Sequence, residues 1–274
     1  MSRFELIIRP RKGWQPVDFK EVFLQRELLG FLMWRDIKIR YRQTLLGGVW
    51  AGLQPLLGMI VFTVFFHRLA GVKGDPQVPY AVFAFAGLSA WTFFANSLAL
   101  SSNSLIANQA MVTKVYFPRI FIPLGTIGAM LMDLLVSLAL LALLMLYYHV
   151  AFTMHALLLP IFIAGSLLSA AGLGMTLSAL NVSFRDVKYA VPFLIQMGIF
   201  VTPVIYPIRI IPQKWIVLMG LNPMAGMVLG FRYSLLGSPA SWGLMGLSLA
   251  VSVVIFISGL FVFRRMERQF ADVI

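Results

Sequence analysis

The sequence predicts an all-α membrane protein: six transmembrane helices, an N-terminal amphipathic interface helix, and re-entrant external helices before the last span. Three observations lead there. Of 274 residues, 60% are hydrophobic and 12% charged, with a mean hydropathy of +0.88. A soluble domain carries about 25% charged residues, so the polar surface here is too small to cover a globule in water. Six apolar segments approach the roughly 20 residues that cross a bilayer. The cations fall between those segments and favour one side, as loop charges at a cytoplasmic leaflet do.

The elements follow in order. Ten of the 22 Lys and Arg residues precede Gly48. Around 26–42, Leu28, Leu29, Leu32, Met33, Ile37, Ile39 and Tyr41 gather into one apolar stripe, while Arg35, Lys38 and Arg42 recur at three- and four-residue spacing on another face. A helix of this kind lies in the membrane interface with its cations toward lipid phosphates, and its surface is available to a cytoplasmic partner. Trp50 follows as an interfacial anchor. The apolar segments are 49–66, 80–100, 120–147, 157–180, 189–205 and 242–263. The fifth is short and holds Pro192 and Pro203, which predicts a kinked or broken span. The stretch 207–241 carries Pro207, Pro212, Pro223 and Pro239 yet stays largely apolar, in pieces too short to cross. Such pieces read as re-entrant or interfacial helices, tolerated at membrane depth only when buried in protein or lining a watery cavity.

With the N-terminus inside, inner segments hold 17 Lys and Arg and outer segments five, Arg232 among the latter. Both termini are therefore expected in the cytoplasm. The organisation is one transmembrane domain over 1–274: an N-terminal cytoplasmic and interfacial region at 1–47, a six-span core at 48–263 and a cytoplasmic tail at 264–274. No short apolar core with a small-residue cleavage site marks a signal peptide at the N-terminus. The absence of cysteine excludes disulfides, thiolate metal sites and a Cys nucleophile.

Several constellations are candidates for function. The second inner connection, 103–119, mixes polar residues with Leu105, Ile106, Met111, Val112, Tyr116 and Phe117; it reads either as a short amphipathic coupling helix or as an ordinary loop with a helical turn. The third, around Arg185 and Asp186, is short and of mixed charge. Asp133 is the one acidic residue well inside a predicted span, where an ionisable group is expensive; it either serves a function there, or lies near the inner interface or pairs with a neighbouring helix. Of the 37 aromatic residues, Phe62, Phe65, Phe66, Phe83, Phe85, Trp91, Phe93 and Phe94 crowd the first two spans; they form core and lipid-facing belts, and some suit a path for sugar rings. The sequence holds no GxxxxGK[ST], HExxH or GxSxG. His67, His149 and His155 are scattered. A membrane enzyme needs a convergence of titratable groups, and the charge distribution does not suit nucleic acid. The chain reads as a transmembrane conduit driven from elsewhere.

The run Trp34-Arg35-Asp36-Ile37-Lys38-Ile39-Arg40-Tyr41-Arg42-Gln43-Thr44-Leu45-Leu46-Gly47-Gly48-Val49-Trp50, with Gln54-Pro55-Leu56, resembles the start of type-2 ABC-transporter permeases, in the subfamily that exports O-antigen, capsular polysaccharide and teichoic acid. So do Lys114-Val115-Tyr116-Phe117-Pro118-Arg119, Leu180-Asn181-Val182-Ser183-Phe184-Arg185-Asp186-Val187, and Phe200-Val201-Thr202-Pro203-Val204-Ile205-Tyr206-Pro207 with Leu221-Asn222-Pro223-Met224. The resemblance implies a homodimer in a bacterial cytoplasmic membrane, with two separate ATPase subunits on its inner face. ATP and Mg would be held by those subunits and no cofactor by this chain. It implies a lipid-linked glycan passing between the two copies. Coupling to the ATPase would then fall to Arg35, Asp36, Lys38, Arg40, Asn108, Lys114, Tyr116, Arg119, Arg185 and Asp186. The substrate path would draw on Arg40, Arg42, Phe62, Phe66, Trp91, Phe94 and Tyr206. The competing readings are a drug or small-hydrophobe exporter of the same superfamily, a polytopic enzyme acting on lipid-linked sugars, and a membrane anchor for a cytoplasmic complex.

Overall fold

The computed structural model describes residues 25–42, 48–76, 78–114, 117–267 and 270. Tyr116 and the segments 1–24, 43–47 and 271–274 lie outside the described residues. Among the described residues there are helices and no strand. The elements are α1 (Arg26–Tyr41), α2 (Val49–Phe62, continued by a π-helical turn at Thr63–Leu69), α3 (Tyr80–Ala107), α4 (Gln109–Lys114), α5 (Phe121–Tyr147), a 3₁₀ turn (Met154–Leu158), α6 (Leu159–Ser183), α7 (Val187–Val201), α8 (Gln213–Gly220), α9 (Pro223–Leu236) and α10 (Trp242–Met266).

Almost the whole of α3 is buried, and α2, α5, α6, α7 and α9 all pack on it. Its run of Ala, Ser and Gly lets neighbours approach from several sides, which is how helices associate where lipid removes the hydrophobic drive between them. The helix continues past position 100, through Ser101–Ala107, where the sequence predicts a connection. Serine does not end it: Ser102 Oγ donates to Ala99 O at 2.9 Å and Ser104 Oγ to Ser101 O at 2.7 Å, both within their own helix. The second connection thus shrinks to Asn108–Ile120, with the six-residue α4 inside it.

Five helical segments are long and apolar enough to cross a membrane: Val49–Leu69, Tyr80–Ala107, Phe121–Tyr147, Met154–Ser183 and Trp242–Met266. One more crossing, the fifth in chain order, is built differently. At 15 residues, α7 spans about 22 Å, short of the roughly 30 Å hydrocarbon layer. Just before α7, Asn181 Nδ2 donates to Ser102 O at 2.9 Å, near one end of α3; just after it, Ile205 O accepts from Tyr80 OH at 2.8 Å, at the other end. Tyr80 and Ser102 lie about 33 Å apart along one helix, so the chain traverses the bundle between them. The non-helical turn 202–205, which starts from extended backbone at Thr202, carries the chain on to Tyr80.

We call the side carrying α1, α4 and the 184–186 turn the basic side, and the opposite one the distal side. Helices α8 and α9 form a pair bent by 102°. Both outer ends of this pair lie on the distal side. Arg209 donates to Gly74 O in the α2–α3 connection, Thr153 Oγ1 donates to Ser234 O at 3.0 Å, and the Tyr233 and Trp242 rings meet at 5.0 Å. The tip reaches inward to Ser248, whose hydroxyl donates to Gly220 O and Asn222 O at 3.1 and 3.0 Å and accepts from Gly226 N at 3.1 Å. The pair enters and leaves on one side, the re-entrant hairpin the proline spacing predicts.

The remaining contacts rest on small residues. Ser169 and Ser252 hydrogen-bond across α6 and α10 at 2.8 Å. One turn further along, Gly172 and Gly259 touch backbone to backbone; a Cβ on Gly259 would lie 2.3 Å from Gly172 O. Gly259→Ala should therefore destabilise the bundle by about 1–3 kcal/mol through overpacking, seen as a lowered thermal midpoint in detergent. Gly246→Ala on the same helix, with nothing within 4 Å of the added methyl, should leave the midpoint unchanged or raise it.

Candidate functional site

Two regions concentrate the polar side chains. On the basic side, α1 runs alongside the first half of α5 and in the same direction. Leu32 is fully buried, and Gly125 and Gly128 form the notch that receives it and Met33; a Cβ on Gly125 would lie 3.1 Å from the Leu32 Cβ and one on Gly128 2.6 Å from the Met33 methyl. The helix is therefore seated on a transmembrane partner. The predicted stripe is corrected in one place: Ile39 is 68% exposed and shares an open apolar face with Phe31 and Trp34. Its position follows from what faces inward instead, which is charge.

Asp36 accepts from the Arg35 guanidinium at 2.7 and 3.0 Å and, on its other oxygen, from Thr126 Oγ1 at 3.1 Å. Arg40 Nη2 lies 2.7 Å from Asp133 Oδ2, and Tyr41 OH donates to Asp133 Oδ1. The Asp133 side chain is 8% exposed and that of Arg40 34%. Burial first, then the bond to Asp133, holds the Tyr41 hydroxyl well above the usual phenol range, so it stays a donor at any working pH. Asp133 also borders a small polar pocket with Ser89, Thr92, Asn96 and Ser137. Of the two readings the sequence leaves open for Asp133, the structure takes the pairing with a neighbouring helix.

The other coupling candidates spread around this clamp. Arg35 Nη1 reaches Met111 Sδ on α4 at 3.8 Å, so α1 and α4 touch. Lys38 lies over the Trp34 ring at 5.4 Å, and Arg42 is exposed just past the helix. Asn108 Nδ2 closes the end of α3 onto Ser104 O at 2.8 Å. Lys114, Arg185 and Asp186 are exposed. Arg119 turns back to the chain's other end, donating to Glu267 O at 2.7 Å, while Arg264 pairs with the Glu267 carboxylate at 3.0 Å. Asn181, absent from the candidate set, ties the end of α6 to α3 through Ser102 O and Asn103 Oδ1. A lone amide closing an apolar run is the signal that marks it.

The candidate path residues divide. Phe62 and Phe66 are half-buried and meet edge to face at 5.5 Å on α2. Trp91 and Phe94 are buried within α3, and Trp91 fills the space at Gly198, where a Cβ would lie 2.6 Å from its ring. Tyr206 OH donates to Phe200 O at 3.0 Å, folding back over the end of α7.

The second polar region surrounds Arg232, which the charge count places in an external loop. The structure buries it instead, 1% exposed, on α9. Its Nε donates to Phe83 O at 3.2 Å, Nη1 to Pro203 O at 2.7 Å and Nη2 to Val204 O, with the guanidinium 3.5 Å above the Phe83 ring. Sequence gives little sign of it: Arg232 resembles any loop cation until the non-helical 203–204 segment is brought to it. Among the described residues no group of three His, Asp or Glu could hold a metal ion.

A family model described as "ABC-2 type transporter" matches residues 27–236. The O-antigen export system permease protein RfbA of Myxococcus xanthus is 30% identical over 257 residues, covering 92% of this chain and 97% of the relative. RfbA of Klebsiella pneumoniae is 27% identical over 250 residues, at 90% and 95% coverage. The polysialic acid transport protein KpsM of Escherichia coli is 26% identical over 255 residues, at 89% and 95%.

The clamp between α1 and α5 can be measured directly. Arg40→Ala and Asp133→Ala should each lower the thermal midpoint of the detergent-solubilised protein. The double variant should cost less than their sum, with a coupling energy of about 0.5–3 kcal/mol in a double-mutant cycle. Strict additivity would show that the ion pair does not hold α1.

Proposed function

Because the chain belongs to the ABC-2 type transporter family, we propose that it is the membrane-spanning subunit of an ABC exporter that moves a lipid-linked polysaccharide across a bacterial cytoplasmic membrane. The observation that carries this is the match to O-antigen export permeases over nine-tenths of the chain, together with the polysialic acid transport relatives over a similar span. The chain is a transport subunit and not an enzyme; ATP hydrolysis belongs to a separate ATPase. ATP and Mg are held there, with no cofactor on this chain.

Two copies of the chain assemble with two ATPase subunits, and the basic side is the cytoplasmic one, carrying both termini. The geometry supports this arrangement in two ways. Lys114, Arg185 and Asp186 are exposed on the basic side beside α1, which the Arg40–Asp133 pair fastens to α5. A push on that surface is delivered to a transmembrane helix and not absorbed by a loose arm. Separately, α2 and α7 flank α3 at Gly58 against Leu88 and Gly198 against Trp91, and their outer faces are open and apolar. A second copy packed along that flank encloses a path bordered by Phe62, Phe66 and the end of α7 near Tyr206. Arg42 and Lys38 remain at the inner mouth to attract a diphosphate, because Arg40 is already paired.

The cycle then runs as follows. ATP binding draws the two ATPases together, α4 and the 184–186 turn carry that motion to α3 and α7, and the interface between copies opens to the lipid-linked diphosphate and its glycan. Co-expression with a free-standing ATPase subunit should yield a co-purifying complex. Vesicles containing it should move a lipid-linked glycan only when ATP is supplied. Lys114→Glu combined with Arg185→Glu should cut ATPase recovery several-fold while the permease stays monodisperse. Normal recovery of the double variant would remove these residues from the docking surface, and failure of the native chain to retain any ATPase would overturn the reading.

A further inference from the structure

Non-helical backbone inside a membrane must find hydrogen bonds in the protein. Here the requirement falls on residues 202–205, where the fifth crossing leaves its helix. Within this stretch Val204 N reaches only Thr202 O, at 2.7 Å. Three successive carbonyls are capped from other elements: Pro203 and Val204 by Arg232 of α9, and Ile205 by Tyr80 of α3. Thr202 Oγ1 accepts from Asn222 Nδ2 at the hairpin tip, at 2.9 Å. The distal end of α7 is thus fastened to the hairpin by Arg232 and Asn222 and to α3 by Tyr80, and Arg232 in turn ties the hairpin to α3 through its bond to Phe83 O.

The helical part of α7 is held in the opposite manner. Among its residues Val191 is buried, while Phe193, Leu194, Phe200 and Val201 are more than half exposed. The helix is a rod gripped at one end. The grip has no spare room: a Cβ on Gly87 would lie 2.6 Å from Arg232 Nη2 and 2.8 Å from Val204 O. A planar guanidinium meets three carbonyls that diverge around it while stacking on Phe83; a lysine ammonium has neither the fork nor the flat face.

We infer that Arg232 is a positioning residue that makes the distal end of α7, the re-entrant hairpin and the start of α3 one rigid body, so that the distal side opens by moving this body against the second copy and not by parting α7 from the hairpin. This rests on the export reading above, and the test separates the two.

The chain contains no cysteine, so Thr202→Cys with Asn222→Cys gives a clean pair for a short bis-thiosulfonate cross-linker whose links open with reductant. In vesicles holding permease, ATPase and lipid-linked glycan, the cross-link should form in nearly all molecules and leave ATP-driven flux within twofold of the reduced sample. Flux that collapses on cross-linking and returns with reductant would overturn the inference, as would thiols that fail to link. Absence of flux in the unmodified chain would instead count against the export reading. In a second arm, Arg232→Lys should keep ATP hydrolysis by the complex while glycan moved per ATP falls at least tenfold. The cross-link placed in that background should restore the ratio. An unchanged ratio in Arg232→Lys would show that the guanidinium only fills space; should that variant fail to assemble, the cross-linked native pair still decides.

Discussion

The constraint on which the rest of this structure depends is that backbone polar groups inside a bilayer have no water to turn to. A chain of uninterrupted helices meets it automatically. This chain does not, because prolines at 203, 207, 212 and 223 interrupt the apolar sequence between α7 and α10. The break at 203–205 and the turn at the hairpin tip are matched by buried polar side chains from other elements. Arg232 and Tyr80 cap the 203–205 carbonyls, Ser248 caps the hairpin tip, and Asn222 closes the start of α9 onto Met224 N at 3.0 Å while reaching Thr202. Much of the bundle's internal polarity is therefore a map of where its helices break.

That relation decides what is legible in the sequence. The long spans are legible because apolar length is a local property, and so is the existence of α1. The hairpin between α7 and α10 is legible from proline spacing. The partners of the breaks are not: Arg232 meets Pro203 from 29 positions away and Phe83 from 149, and no local pattern distinguishes it from Arg209, which sits in a loop. The same limit explains Ile39. The stripe argument assigns it inward by periodicity, whereas Asp36 and Arg40 face α5 because Thr126 and Asp133 wait there. The candidate site was legible as a region on the basic side. Its internal division, between charges consumed in holding α1 and charges left at the surface, appears only once α5 is in place.

The two polar anchors also divide the molecule by mobility. Helices α3, α5, α6 and α10 pack through Gly, Ala and Ser at close range, including the Gly172–Gly259 backbone contact and the Ser169–Ser252 bond. Interfaces of that kind are discrete and stiff, since interdigitated small residues cannot slide without clashing. Helices α2 and α7 meet this core through few buried side chains and keep wide apolar faces open. In a bilayer such faces are covered by lipid or by protein with little difference in hydrophobic free energy, so a neighbour can come and go at low cost.

A conduit for a large polar polymer needs that combination. The path must open far wider than a side-chain rearrangement allows, yet no lipid-exposed backbone can be left unpaired during opening. In the proposed dimer, separating two copies along α2 and α7 would break apolar contacts that lipid replaces. Separating α7 from its own hairpin would strip Arg232 from two carbonyls and leave both carbonyls and two nitrogens of the guanidinium without partners at membrane depth, a penalty of several kcal/mol for each exposed group. In that proposed dimer the cheaper motion is the one between copies, and the placement of Arg232, inside one chain, keeps the expensive one closed.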